Sequence, residues 1–454
     1  MRTRRGSEQP RAPRSTTWLF LAFSFAVIAD PVSSVAYAIE AALRALHGHL
    51  EYLLPTMGVV IVVIVLVAIN YWHLIKRFPH GGGDPLAVAR AFGLGWSVLP
   101  IGALVVDFAL TIAISIAAAA SAVIAVDGAL ESYRMAIALG LLALVGAITW
   151  FGHIGRMLFA LMTVVFIVST VAVVLRGVID PVSVHNLAPV TSVGHSGLIA
   201  VLMAFPVAMA LATGIEASST AVAQLGQLGE AGRRRFGQGS LLMMVGIVGV
   251  LTVALAYVAV QLNVGLPSTD STQIADIARA AAGNGVLFQV FQASSSLLLL
   301  AAASSSFQAG PGLLKALSGP PGKHGVLPDF FGWTNSHHTP YLAAAAYLVV
   351  AGLVVVGAGA REQELVLFYA VAVFLSFLMG LLAMARFAWR DRQLALLAVN
   401  SLAIIGVTFT IGVNLARVYP IVSLVALGLV AAVLYVLWAR AGKPEDIENI
   451  EAAG

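Results

Sequence analysis

The sequence predicts an all-α membrane protein of twelve transmembrane helices, and three observations carry that prediction. Of its 454 residues 60% are hydrophobic and only 10% charged, against about 25% charged in soluble domains. The apolar residues gather in runs close to the ~20 residues that cross a hydrocarbon core. Strand-like alternation is absent, and in lipid a helix satisfies its backbone groups within its own segment.

The twelve runs lie near 17–46, 54–75, 97–126, 133–150, 154–176, 197–226, 239–264, 284–310, 341–358, 363–386, 395–415 and 418–440. They divide the chain into a tail (1–16), a ten-helix core (17–386), two additional spans (387–442) and a short polar tail (443–454). Ahead of the first run stand Arg2, Arg4, Arg5, Arg11 and Arg14, and Ala36-Tyr37-Ala38 imitates a secretory cleavage site. Asp30 and Pro31 inside that run are poor signal-peptide residues, and everything downstream is membrane-like too.

Lysine and arginine set the orientation. With a cytoplasmic N terminus, Lys76, Arg77, Arg90, Arg156, Arg233–Arg235, Lys315, Lys323, Arg386, Arg390, Arg392, Arg440 and Lys443 join the five leading arginines inside, 19 in all. Only Arg44, Arg134, Arg176, Arg279, Arg361 and Arg417, 6 residues, remain outside. That asymmetry predicts twelve spans with both termini cytoplasmic. The net charge of +4 lies in clusters between the runs rather than along one face, so no nucleic-acid partner is expected. The absence of cysteine excludes disulfides and thiolate metal sites.

Two connections are more than turns. His80-Gly81-Gly82-Gly83-Asp84-Pro85 leads into the amphipathic stretch Leu86–Phe92. With no preceding strand and no P-loop lysine it reads as a flexible cytoplasmic elbow rather than a phosphate cradle. On the other side Thr269-Asp270-Ser271 is placed to cap a small helix through Ile274 and Ile277, either an extracellular gate or an inert surface helix.

Ionisable residues within a span are costly and commonly line a pathway. Asp30, Asp107 and Glu216 stand mid-run, and no lysine or arginine occupies a span centre to neutralise them. The missing positive charge is then a transported cation or a proton. Around Asp30, the sequence Ala29-Asp30-Pro31-Val32-Ser33-Ser34 combines a missing donor with two competing hydroxyls. Such a helix breaks at mid-membrane and exposes carbonyls to an ion; the blander reading is a proline kink with Asp30 capping the second half. Glu216, in Thr213-Gly214-Ile215-Glu216-Ala217-Ser218-Ser219, marks a second break in the sixth run. Its blander reading is a packing glycine beside a buried, protonated acid.

Breaks in the first and sixth runs are what a five-plus-five inverted repeat would place at its crossing point. In the third run Asp107, Thr111 and Ser115 recur every four residues and share one helical face. Tyr369 offers a phenol or a packing ring, and Ser304-Ser305-Ser306 a sodium site or close helix packing. His73 and His153 sit near cytoplasmic ends. No spacing suggests a transition-metal site, a cofactor or a nucleophile–base pair, so an enzyme is not expected.

With these residues in place, the chain resembles the amino acid–polyamine–organocation (APC) superfamily, and within it potassium importers of the KimA type. The resemblance rests on Asp30 to Tyr37, Asp107 to Ser115, Thr213 to Glu216 and Phe368 to Phe374, with weaker support from Gly81–Gly83 and Ala302 to Phe307. It implies a LeuT-like fold, proton-coupled uptake and a homodimer. It also implies that Asp30, Tyr37, Thr111, Ser115, Thr213 and Tyr369 surround potassium, with Asp107 and Glu216 at acidic positions tied to ion binding or proton coupling. Three departures stand out. Phe108 replaces a tyrosine, Pro31 replaces a small residue, and the importers' large cytoplasmic C-terminal domain has no counterpart, so dimerisation and regulation through it are not carried over.

Proton-coupled potassium uptake is therefore the expected function, with proton-coupled amino acid symport as the alternative. An amino acid site would offer free amides at a glycine-rich first break. Here that break holds an acid and no glycine, which repels a carboxylate.

Overall fold

The computed structural model describes residues 16–151, 156–182, 197–319, 325–417 and 420–442. The five leading arginines, His153, Lys323 and the tail from Lys443 lie outside the described residues, as do the side chains of Arg156 and Tyr369. Among the described residues the chain is helical throughout, with a lone bridge between Thr334 and Pro340. Among the described residues ten helices are long and apolar enough to cross a membrane, and two apolar helices, Thr17–Val27 and Tyr341–Gly357, are shorter.

The first run forms three segments, α1 (Thr16–Val27), α2 (Ala29–Ser33) and α3 (Val35–Ala45). They are separated only by Ile28 and Ser34, both in right-handed helical conformation. α4 (Leu53–Arg77) then runs to the elbow, where Gly81, Gly82 and Gly83 all adopt positive φ. That reversal is open to glycine at little steric cost, and it turns the chain into α5 (Gly83–Phe92) and α6 (Leu94–Ile124). α7 (Arg134–Trp150) and α8 (Arg156–Ile179) complete the first half.

The sixth run is α9 (Gly197–Ala208), a 3-10 turn (Met209–Ala212), four non-helical residues and α10 (Ala217–Ala221). α11 (Glu230–Gln261) follows, then α12 (Gln273–Ala282) and α13 (Val286–Leu317). The chain ends in α14 (Tyr341–Gly357), α15 (Glu362–Arg390), α16 (Leu394–Leu415) and α17 (Pro420–Arg440).

α6 is the axis of the bundle, packed by α13, α15, α17 and α14. Its buried run Ala117–Ala120 lets neighbouring backbones approach, which is how helices associate where lipid removes the hydrophobic driving force. α16 packs on α15 and α4, and α17 on α6 and α15.

α12 is capped by Thr272, whose Oγ1 accepts from Ala275 N–H at 3.3 Å, one residue beyond the trio the sequence pointed to. Its inward face holds Ile274 and Ile277, both buried. α12 is tied down by Glu40 of α3, whose Oε2 accepts from Gln273 N–H at 3.0 Å while Arg44 Nε donates to Oε1 at 2.8 Å. Beside it, Ser121 Oγ donates to Glu362 Oε2 at 2.6 Å. Arg134 donates to Ser121, to Glu131 at 2.7 Å and to the Thr269 carbonyl at 2.7 Å. These bonds close one end of the bundle.

Candidate functional site

Pro31 falls in the first turn of α2, where a missing N–H costs little. Ser33 Oγ donates to the Asp30 carbonyl at 2.7 Å, and Ser34 Oγ to the Pro31 carbonyl at 2.6 Å and the Leu211 carbonyl at 3.1 Å. The first run is thus kinked rather than unwound. The two hydroxyls occupy carbonyls that an opened helix would have presented to an ion, so that part of the expectation is corrected. The sixth run opens fully. Thr213 is extended (ψ 133°) and Gly214 has φ +77°, a turn that any side chain would strain.

The two irregular segments meet there. A Cβ on Gly214 would lie 2.9 Å from both Asp30 Oδ2 and Pro31 Cδ, so the glycine permits the crossing as well as the turn. Tyr37, buried on α3, directs its phenol at Thr213 and lies in the field of Asp30 and Asp107. Thr213 Oγ1 also donates to the Ala210 carbonyl at 2.6 Å. Asp30 Oδ1 and Glu216 Oε2 are buried atoms without a hydrogen-bond partner. Asp30, Asp107 and Glu216 lie close enough to repel one another.

From α6, Asp107, Thr111 and Ser115 all turn inward, at 5%, 3% and 1% exposure, and Thr111 Oγ1 donates to Asp107 Oδ1 at 3.3 Å. Six of the eight residues named from the sequence (Asp30, Tyr37, Asp107, Thr111, Thr213 and Glu216) therefore converge, and Ser115 lies one turn further along the same buried face. Tyr369 belongs to α15, but its side chain lies outside the described atoms. Ser304 and Ser306 are buried on α13, which packs against α2. Among the described residues no group of three His, Asp or Glu could hold a metal ion.

Besides Glu40 and Glu362, one more buried acid was not singled out from the sequence. Asp84, at the start of α5, is 3% exposed. Its Oδ2 accepts from Tyr71 Oη at 2.6 Å and from Ser376 Oγ at 3.5 Å, while Oδ1 has no partner. α5 lies outside the candidate spans. Burial pushes the Asp84 carboxyl up to about 7, against the lowering pull of the two hydroxyls. An acid directly after three glycines was the signal available; Tyr71, thirteen residues earlier, gave none.

A helical membrane bundle in which Asp30 and Glu216 each keep one buried oxygen without a partner, where an unwound segment crosses a kinked one, defines a membrane transporter. A family model described as amino acid permease matches residues 19–441, and the chain belongs to that family, within the APC superfamily. It is 26% identical over 364 residues to the potassium transporter KimA of Bacillus subtilis (strain 168), covering 77% of this chain and 58% of that protein. The chain thus spans less than two thirds of that relative's length. Crystal structures of the Eremococcus coleocola manganese transporter, one with an aromatic bis-isothiourea compound and one of a mutant, cover 98% of both chains at 14% identity, with TM-scores of 0.49 and 0.48.

Proposed function

We propose that this transporter takes up potassium across the bacterial inner membrane by alternating access, coupled to protons. In this reading the chain has twelve spans with both termini cytoplasmic, and residues 17–386 form a LeuT-like core of two inverted five-helix repeats. The observation that carries it is the pair of buried, partnerless oxygens, Asp30 Oδ1 and Glu216 Oε2. They stand where the unwound Thr213–Glu216 segment abuts Asp30, with no lysine or arginine paired to either acid among the described residues. Buried anions of this kind require a cation or a proton.

Potassium is satisfied by several oxygens without strict geometry. Asp30, Tyr37, Thr111, Ser115, Thr213 and Tyr369 supply carboxylate, phenol and hydroxyl oxygens. Asp107 and Glu216 are the proton carriers, because mutual repulsion of neighbouring carboxylates favours the protonated form of one of them. That the Bacillus subtilis relative is a potassium transporter supports the choice of ion.

The family description, amino acid permease, favours a second reading, proton-coupled amino acid symport. Asp30 at the first kink counts against it, since it would repel a substrate carboxylate. Complementation separates the two. Expression should rescue a potassium-uptake-deficient bacterium at low external potassium, and Asp30→Asn should abolish the rescue. Failure to rescue, alongside proton-driven uptake of a labelled amino acid, overturns the potassium reading.

A further inference from the structure

The elbow between α4 and α5 lies directly on the far half of the sixth run. A Cβ on Gly81 would come 2.8 Å from Ala223 Cβ, and one on Gly83 would come 3.0 Å from Thr220 Cγ2 and 3.5 Å from Ser219 Oγ. Gly81 and Gly83 therefore cover the segment that follows the unwound turn, while Gly82 packs on Leu86 of α5. Asp84, the next residue, fastens the elbow to the bundle through Tyr71 of α4 and Ser376 of α15. Its unpartnered Oδ1 is pressed against Gly380 of α15, where any added Cβ would collide with it.

The elements packed against α5 are α6, α15 and α4. They present Tyr71 and Ser376 to the carboxyl directly, while Glu216 and Asp107 share its electrostatic neighbourhood. The cations of these elements are Lys76, Arg77, Arg90, Arg386 and Arg390, and none of them is among the groups that shift the Asp84 carboxyl. Arg77 pairs with Asp391, and Arg386 stacks on Phe92. A carboxyl this buried, with one bare oxygen, favours the neutral acid.

We infer that Asp84 is a second proton-binding site, below the crossing, which holds a proton while the Gly81–Gly83 elbow is seated and releases it to cytoplasmic water when the elbow lifts. The inference rests on the proton coupling and orientation proposed above. In the step the Asp84 O–H bond breaks, water takes the proton, and the carboxylate left behind is solvated. Reseating the elbow requires a proton back, and the acids at the crossing supply it. The site gives the protein a proton exit separate from its cation site.

The test reads elbow opening rather than flux, so it stands or falls apart from the transport reading. The protein has no cysteine, so Ser219→Cys places a single buried thiol beneath Gly83. Purified full-length protein in potassium-free detergent is titrated with a membrane-impermeant maleimide, and rates are corrected for thiolate fraction with an unfolded sample. The labelling rate should rise about fivefold or more between about pH 6 and about pH 8, where an acid titrating near 7 loses its proton. Asp84→Asn, a permanent neutral mimic, should label slowly and without that dependence. Tyr71→Phe removes a bond that lowers the Asp84 pKa, so the midpoint should move to higher pH. This second variant keeps the test decisive if Asp84→Asn does not fold. A flat wild-type profile, the same pH dependence in Asp84→Asn, or an unmoved midpoint in Tyr71→Phe overturns the assignment.

Discussion

Gly214→Ala tests the crossing with one methyl group. At φ +77° a residue with a Cβ is strained by about 1–2 kcal/mol. The new methyl would also sit 2.9 Å from Asp30 Oδ2 and Pro31 Cδ, and forcing such a contact into packed surroundings costs about 1–3 kcal/mol. Together these come to about 2–5 kcal/mol against the arrangement in which Asp30 meets the sixth run. At a factor of ten per 1.4 kcal/mol, uptake falls by about 30-fold at the low end of that range. The assay is initial-rate rubidium uptake into proteoliposomes, normalised to reconstituted protein, beside thermal unfolding in detergent. Gly246→Ala is the control, since its Cβ meets nothing within 4 Å in the interior of α11. A glycine-to-alanine change there should be neutral or gain about 0.5–1 kcal/mol. Wild-type uptake and unfolding temperature in Gly214→Ala would refute the crossing.

Asp107→Asn should leave expression and unfolding temperature near wild type while lowering rubidium uptake by about tenfold or more, equivalent to 1.4 kcal/mol; unaltered uptake removes Asp107 from the mechanism. Arg134→Ala strips Glu362 and Glu131 of a largely buried partner. It should lower unfolding stability by about 3–5 kcal/mol in a denaturant titration, with partial recovery on adding Glu362→Gln. At the bundle surface, the Arg77 hydrogen bond holds the Asp391 carboxyl below the usual carboxylate range. A depressed carboxyl stabilises above its ordinary pKa and loses that contribution as pH falls through the lowered value. The small unfolding-temperature gap between wild type and Asp391→Asn should therefore be present at about pH 7 and close as pH falls below about 4.

Ten of the twelve spans were legible because lipid imposes length and apolarity on each helix separately, and these are properties of contiguous residues. Asp30, Asp107 and Glu216 were legible for the same reason, as charges set in uncharged runs. The four-residue step carried Thr111 and Ser115 to the inward face with Asp107. What local sequence could not show was how far each helix would open. Pro31 with two serines suggested an unwound first run, yet Ser33 and Ser34 turn back onto the Asp30 and Pro31 carbonyls and keep it wound. Extended Thr213 and left-handed Gly214 open the sixth. Asp84 was hidden because its burial is created by α4 and α15, whose approach depends on the whole bundle. Glu40, Glu362 and Arg134 were hidden likewise: they stand near run ends, and only the packing of α3, α12 and α15 encloses them.

The central claim is that Asp30 stands in a cation site. Its most direct test is a reconstituted flux screen of potassium, rubidium, sodium and amino acids under an imposed pH gradient, comparing wild type with Asp30→Asn. The account predicts pH-driven uptake of potassium and rubidium that Asp30→Asn abolishes in protein of unchanged unfolding temperature. Amino acid uptake without potassium uptake, or potassium uptake unaffected by Asp30→Asn, would contradict it.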